Sequence, residues 1–162
     1  MTGSPLAAVR RFVIPGALMD NTVAVLAAAG RDGHEAFVVW GGTCDGNTLE
    51  YRSHLVPTQT AHTTPEGLLV TVAGESLFQV NREFHRRGEI LAGQVHSHPT
   101  DAFHSGTDDH FPLVTLLGSL SVVLPDFARA GTSAMRDWAW YRLVGVGMWD
   151  DLTRNDKVEI RR

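Results

Sequence analysis

The chain holds a single cysteine, Cys44, among 162 residues. One thiol excludes an internal disulfide, and it excludes a zinc centre built on two or more cysteines. A reducing compartment is the expectation. The Pro-Cys-x-x-Cys pair that a zinc nucleoside deaminase needs is likewise impossible. There is no GxGxxG and no Walker loop, so dinucleotide or P-loop chemistry has no support. The N-terminal stretch has no continuous apolar run, because Arg10 and Arg11 interrupt it and Pro15-Gly16 follow. Neither a signal peptide nor a membrane span is expected, and the expected location is cytoplasmic. Basic charge is also short: 14 Lys and Arg against 18 Asp and Glu give a formal net charge of -4. Nucleic acid as the main partner is therefore disfavoured, since phosphate binding needs a basic field. Arg82, Arg86 and Arg87 read as a solvated helix face. Repeats, low-complexity segments and interdomain linkers are absent.

What is present is ordinary globular composition, 43% hydrophobic and 20% charged, long enough to bury a core. One domain over 1–162 is expected, with its core at about 9–149 and a polar, fraying tail at 155–162.

Val9–Ile14 reads as a short strand, broken by Pro15-Gly16. Asp20 or Asn21 could cap a helix over Val23–Ala29 that Gly30 stops. Glu35–Trp40 carries the apolar run of a buried strand, ended by Gly41-Gly42. Asp45-Gly46-Asn47 reads as a turn into a strand over Thr48–Leu55. Pro57–Glu66 reads as a polar loop and Leu68–Val72 as a strand. Leu77, Val80 and Phe84 give the apolar stripe of a helix over Glu75–Arg87, with Gly88 at its stop. Ile90–His98, Leu120–Leu124 and Trp138–Val144 complete the strands, with Trp138, Trp140 and Arg142 on one face of the last. This order is not a regular βαβ alternation. It predicts an α+β, or mixed α/β, domain with a single curved mixed sheet flanked by helices.

The chemistry concentrates in His96-Ser97-His98-Pro99 and the following His104-Ser105-Gly106-Thr107-Asp108-Asp109. Residues one apart on an extended segment point to the same side, so both imidazoles can meet one ion. Two histidines and an aspartate leave a fourth position open, as in a catalytic rather than a structural zinc site. Ser105 and Asp108 stand at i and i+3 and share a face if Ser105 opens a helix. Asp109 would be rotated away by about 100°. Asp108 is thus the expected third ligand and Asp109 the fallback. Ser105 could aim its hydroxyl at a tetrahedral oxyanion. Glu35, at the entrance of a buried strand, is the best candidate for a general base. His104 could stand behind the ligands or line the cleft. His34, His54, His62, His85 and His110 have no comparable context.

Taken together, Glu35 ahead of AFVVWGG, HSHP at 96–99, and Ser105-x-x-Asp108 resemble the JAMM (JAB/MPN) metalloprotease family, in its compact bacterial type. The resemblance spans about Val9 to Trp149. The loop between His98 and Ser105 is one residue shorter than usual, which strict counting would resolve as Asp109. Helix geometry favours Asp108, because a loop absorbs a deletion more easily than a helical turn. The resemblance implies a JAB/MPN-like (cytidine-deaminase-like) fold and a zinc-dependent isopeptidase or peptidase. It implies Zn²⁺ on His96, His98 and Asp108, Glu35 as base and Ser105 as oxyanion donor. It implies cleavage after the C-terminal glycine of a ubiquitin-like protein, by deconjugation or precursor processing. Bacterial members also imply operon partners resembling ubiquitin-activating and ubiquitin-conjugating enzymes, including in antiphage systems. A tail groove walled by Pro57–Glu66 and Ala128–Arg136, built by strand addition, would suit such a substrate. The competing reading is a non-catalytic MPN-like scaffold that binds a protein partner. A RadC-like domain linked to DNA fits the acidic balance poorly, and an amidohydrolase barrel needs a longer chain.

Overall fold

The computed structural model describes residues 3–154 and 156–162. Among the described residues, ten strands and three α-helices run in the order β1 (Arg11–Pro15), α1 (Gly16–Arg31), β2 (Phe37–Asp45), β3 (Thr48–Leu55), β4 (Gln59–Thr64), β5 (Gly67–Val72), α2 (Gly74–Arg86), β6 (Ile90–Ser97), α3 (Gly106–His110), β7 (Leu120–Leu124), β8 (Ala139–Gly145), β9 (Met148–Asp151) and β10 (Val158–Arg161). Eight strands form one sheet in the order β10-β1-β3-β2-β6-β7-β8-β9, and β4 and β5 form a separate hairpin. β1 runs parallel to β3 and β10, and β6 parallel to β7, while the other pairs are antiparallel. The class is therefore α+β with a mixed sheet, as expected.

The sheet is strongly curled. Its two edge strands, β9 and β10, are joined by the six residues between Asp151 and Val158. Eight flat strands would span about 33 Å, whereas that link reaches at most about 24 Å. Across the curl, Arg142 of β8 lies over the Phe12 ring of β1 at 5.6 Å and donates to Leu6 O at 3.1 Å.

Alternation in the strands sorts side chains between two faces. Val38, Trp40, Val95, Val122 and Trp140 pack with Leu18, Met19 and Leu26 of α1 in the larger core. Val39 and Leu91 face the other way and pack with Val80 and Phe84 of α2 and with Val114. His96 shares this second face, because it pairs with Phe37 of β2 and Val123 of β7.

Several boundaries differ from the sequence reading. α1 starts at Gly16, directly after its cap Pro15, and ends at Arg31; Pro15-Gly16 is the helix entrance rather than a simple break. β2 does not stop at Gly41-Gly42. It continues through them, and the register shifts there against both neighbours, with the extra residue on the partner strand each time, Arg52 of β3 and Ala92 of β6. A Cβ on Gly41 would lie 2.4 Å from the Phe84 ring, and one on Gly42 would lie 2.5 Å from Glu50 O. The glycines thus let neighbours close in on a continuing strand. Most of the expected loop 57–66 is β4. The expected fraying tail contains β10, which pairs in parallel with β1, inserts Val158 and Ile160 against the core and pairs Glu159 with Arg11. Asn155, the first residue of that tail, lies outside the described residues. The segment Gly131–Asp137 forms 3-10 turns packed near α1. Met135 and Arg136 line a cavity of about 670 Å³ with Trp138 and Trp140. Trp140 faces away from His96, so this part of Ala128–Arg136 does not wall the histidine face.

Candidate functional site

β6 is central, flanked by β2 and β7, and every residue from Leu91 to Ser97 is buried. Its end therefore sits on rigid backbone. His98 follows the strand but stays in the ladder: its N–H donates to Leu124 O at 2.9 Å. Its carbonyl accepts from Phe127 N at 2.8 Å, and Thr100 O accepts from Asp126 N at 2.9 Å. These two donors come from an unusual left-handed turn, with φ of 50°, 52° and 60° at Asp126, Phe127 and Ala128. Such backbone costs about 1–2 kcal/mol per non-glycine residue. It persists here where Phe127 is wedged against Gly30, whose added Cβ would approach Phe127 Cβ to 2.4 Å, and where it holds the chain at His98 and Thr100.

Ser105 is the N-cap of α3. Its Oγ accepts from Asp108 N at 3.1 Å, and its own N–H donates to Asp108 Oδ2 at 2.8 Å. This reciprocal capping box fixes the rotamer of the Asp108 carboxylate. It also uses an oxygen lone pair of Ser105 and leaves the hydroxyl hydrogen for another acceptor.

The structure brings His96, His98 and Asp108 together, with one potential ligand atom from each within 4.8 Å of the others. His96 Nε2 and His98 Nε2 are 3.2 Å apart. Asp108 Oδ1 is 3.3 Å from His96 Nε2, and Asp108 Oδ2 is 3.4 Å from His98 Nε2. A tetrahedron with zinc–ligand bonds of about 2.0–2.1 Å has edges of about 3.3–3.4 Å. The residues form a triangle of about that size, with one Asp108 oxygen facing each histidine, and imidazole with carboxylate is a donor set suited to a borderline cation. Asp109 is not in this triangle; its Oδ1 lies 3.0 Å from His104 Nδ1.

Glu35 lies just before β2, half-buried. Burial pushes its carboxyl up to about 7; the His98 charge opposes this and that of Asp108 adds to it. A carboxylate with a near-neutral pKa is suited to exchanging protons at physiological pH. Burial would also raise Asp108, but the bonds from His96 and His98 and from the backbone of Ser105 outweigh it and hold that carboxyl far below its usual range. Burial works against charge on His98, yet Asp108 and Glu35 raise it overall. Beside Glu35, the Gln59 side chain pairs with the backbone of Phe37, accepting from its N–H at 2.7 Å and donating to its carbonyl at 2.9 Å. The start of the β4–β5 hairpin is thereby tied to the segment carrying Glu35.

Three further residues complete the face. His104 stacks on Tyr141 with ring centroids 4.0 Å apart and meets Trp149 edge-on at 4.8 Å. Gln94 and Ser121 lie beneath, joined by a 3.0 Å bond. Gln94 and Ser121 escaped the sequence reading, although a signal exists. Both are polar in otherwise apolar strands, and Gln94 stands two residues before His96 on the same face. The side chain of His110 lies outside the described residues.

No protein-family model matches the chain. It is similar to the probable metalloprotease y4jG of Sinorhizobium fredii, with 34% identity over 149 residues, 92% of this chain and 91% of that protein. Two solution structures share its fold. Protein DSY2949 of Desulfitobacterium hafniense matches with a TM-score of 0.61 and 15% identity, over 93% of both chains. A protein of Salinibacter ruber matches with a TM-score of 0.59 and 16% identity, over 90% of both. At these identities the likeness of the two structures concerns the fold.

Proposed function

The chain belongs to the family of the Sinorhizobium fredii probable metalloprotease, and from that premise we propose that it is a zinc-dependent peptidase of the JAMM type. The observation that carries this reading is the convergence of His96, His98 and Asp108, one ligand atom from each within 4.8 Å of the others, with the two Nε2 atoms 3.2 Å apart and an Asp108 oxygen facing each of them at 3.3 and 3.4 Å. His96, His98 and Asp108 would hold the ion and Asp109 would not. Zinc held there would supply Lewis acidity, to acidify water and polarise a carbonyl.

The chain's own groups supply the rest. Glu35, poised near neutrality by burial, takes a proton from water and later passes it to the leaving amine. The Ser105 hydroxyl, its lone pair already engaged by Asp108 N–H, donates to the oxyanion that develops on the attacked carbonyl. The left-handed turn at Asp126–Ala128 and the capping box keep His98 and Asp108 in place through the reaction, so little reorganisation accompanies it.

The substrate in this reading is the C-terminal glycine of a ubiquitin-like protein, joined to a lysine or to a following peptide. The β4–β5 hairpin, tied at Gln59 to the segment holding Glu35, is the element that would border an extended tail. The test is cleavage of ubiquitin-like proteins fused through their terminal glycine to a reporter. Cleavage after glycine is expected, abolished by chelator, restored by zinc and lost in Glu35→Gln. A Glu35→Gln protein with full activity would remove Glu35 from the mechanism. Cleavage only at unrelated peptide bonds would remove the ubiquitin-like substrate while leaving a peptidase.

A further inference from the structure

His104 has no part in the chemistry just described, yet its side chain is only 4% exposed and both ring nitrogens are engaged. Nδ1 lies 3.0 Å from Asp109 Oδ1, and Nε2 lies 2.8 Å from Ser121 Oγ. Ser121 Oγ accepts from Gln94 Nε2 at 3.0 Å. Gln94 Oε1 in turn accepts the backbone N–H of Leu113 at 2.7 Å and of Val114 at 3.1 Å. The donors line up in one direction. The Gln94 amide gives to Ser121, the Ser121 hydroxyl gives to His104 Nε2, and His104 Nδ1–H gives to Asp109. Each of these side chains therefore has a partner, which is the condition under which a buried polar network rigidifies its surroundings.

The placement of this network matters more than its length. Asp108 sits on the excursion between β6 and β7, away from the sheet that carries the two histidines. The network grips that excursion at His104, four residues before Asp108, and at Leu113–Val114, five and six residues after it. Both grips end on adjacent strands, at Gln94 of β6 and Ser121 of β7. Gln94 is itself two residues from His96, so one set of bonds references the aspartate to the histidines.

An Asp–His–Ser series is also the order of an acyl-transfer triad. Here Ser121 is 0% exposed, lies within β7 and has its oxygen occupied by Gln94, so no substrate carbonyl can reach it. We propose that His104 is a positioning residue, which with Ser121 and Gln94 holds Asp108 at ligand distance from His96 and His98. This rests on the metal reading above.

The test is zinc affinity, measured by competition with a chromogenic chelator, on the full chain. His104→Leu keeps bulk against Tyr141 and Trp149 but makes no hydrogen bonds. It should bind zinc about 10–100-fold more weakly, the usual cost of losing a partner behind the ligands. Ser121→Ala, a milder change, should lose about 10-fold and decides the matter if His104→Leu does not fold. Thr22→Val is the control: it breaks the buried bond from Trp40 Nε1 on the opposite face and should leave zinc affinity as it is. Unchanged affinity in the variants made at His104 and Ser121 overturns the proposal. An equal loss in Thr22→Val overturns it too, because general loosening would then explain the effect. A wild-type protein that binds no zinc overturns the metal reading, and this inference falls with it.

Discussion

Replacing Glu35 by glutamine should abolish activity and stabilise the metal-free protein. Burial lifts the carboxyl from 4.5 to about 7. Between those values the folded protein holds a proton that the unfolded chain releases. Stability therefore falls as pH rises through that window and is flat above it. At about 1.4 kcal/mol per pH unit the cost of the ionised form is at most about 3.5 kcal/mol. Glu35 is only half-buried, and solvent screening reduces this to about 1 kcal/mol. Glutamine has nearly the same shape and never ionises. Urea unfolding with chelator present, at pH 5 and pH 8.5, measures the effect. The variant should gain on the wild type by about 1 kcal/mol between the two pH values. The zinc-loaded variant should lose about 10²–10⁴ in turnover. A stability gap that stays constant with pH, or that shrinks as pH rises, would refute the buried-carboxylate argument.

Other substitutions probe the scaffold. Gly41→Ala pushes a methyl to 2.4 Å from the buried Phe84 ring and should cost about 1–3 kcal/mol in denaturant unfolding; a neutral change would mean that Phe84 can move aside. Ser105→Ala removes the cap of α3 and the proposed oxyanion donor. It should cost about 1 kcal/mol in stability and about 10²-fold or more in turnover, with zinc-loaded kinetics as the readout. Asp126→Gly relieves one left-handed residue at φ 50° and should raise stability by about 0.5 kcal/mol, read as a higher thermal midpoint.

The parts of the site that could be read from sequence are those governed by local periodicity. His96 and His98 share a side because strands alternate, and Ser105 meets Asp108 because a capped turn repeats at three residues. Glu35, the proposed base, stands out through its place before an apolar run. Tertiary pairing hid the rest. β10 has only four residues and counts as a strand because β1 offers it an edge. Pro15-Gly16 carries the composition of a break, but α1 uses it as an entrance because proline at a cap loses no helical hydrogen bond. Gly41-Gly42 also reads as a stop, whereas the strand continues because Phe84 and Glu50 need the missing side chains. The left-handed turn after Pro125 has no glycine to announce it. Gln94 and Ser121 were readable only in the limited sense that each interrupts an apolar strand on the His96 face; that they join through His104 is a property of the folded sheet.

The most direct measurement of the central claim is zinc per chain by elemental analysis, for the wild type, His96→Ala, Asp108→Ala and Asp109→Ala. The account predicts about one zinc in the wild type and in Asp109→Ala, and close to none in the other two. Zinc retained by Asp108→Ala and lost from Asp109→Ala would contradict the ligand set. A wild type without zinc even after the metal is supplied would contradict the metallopeptidase itself.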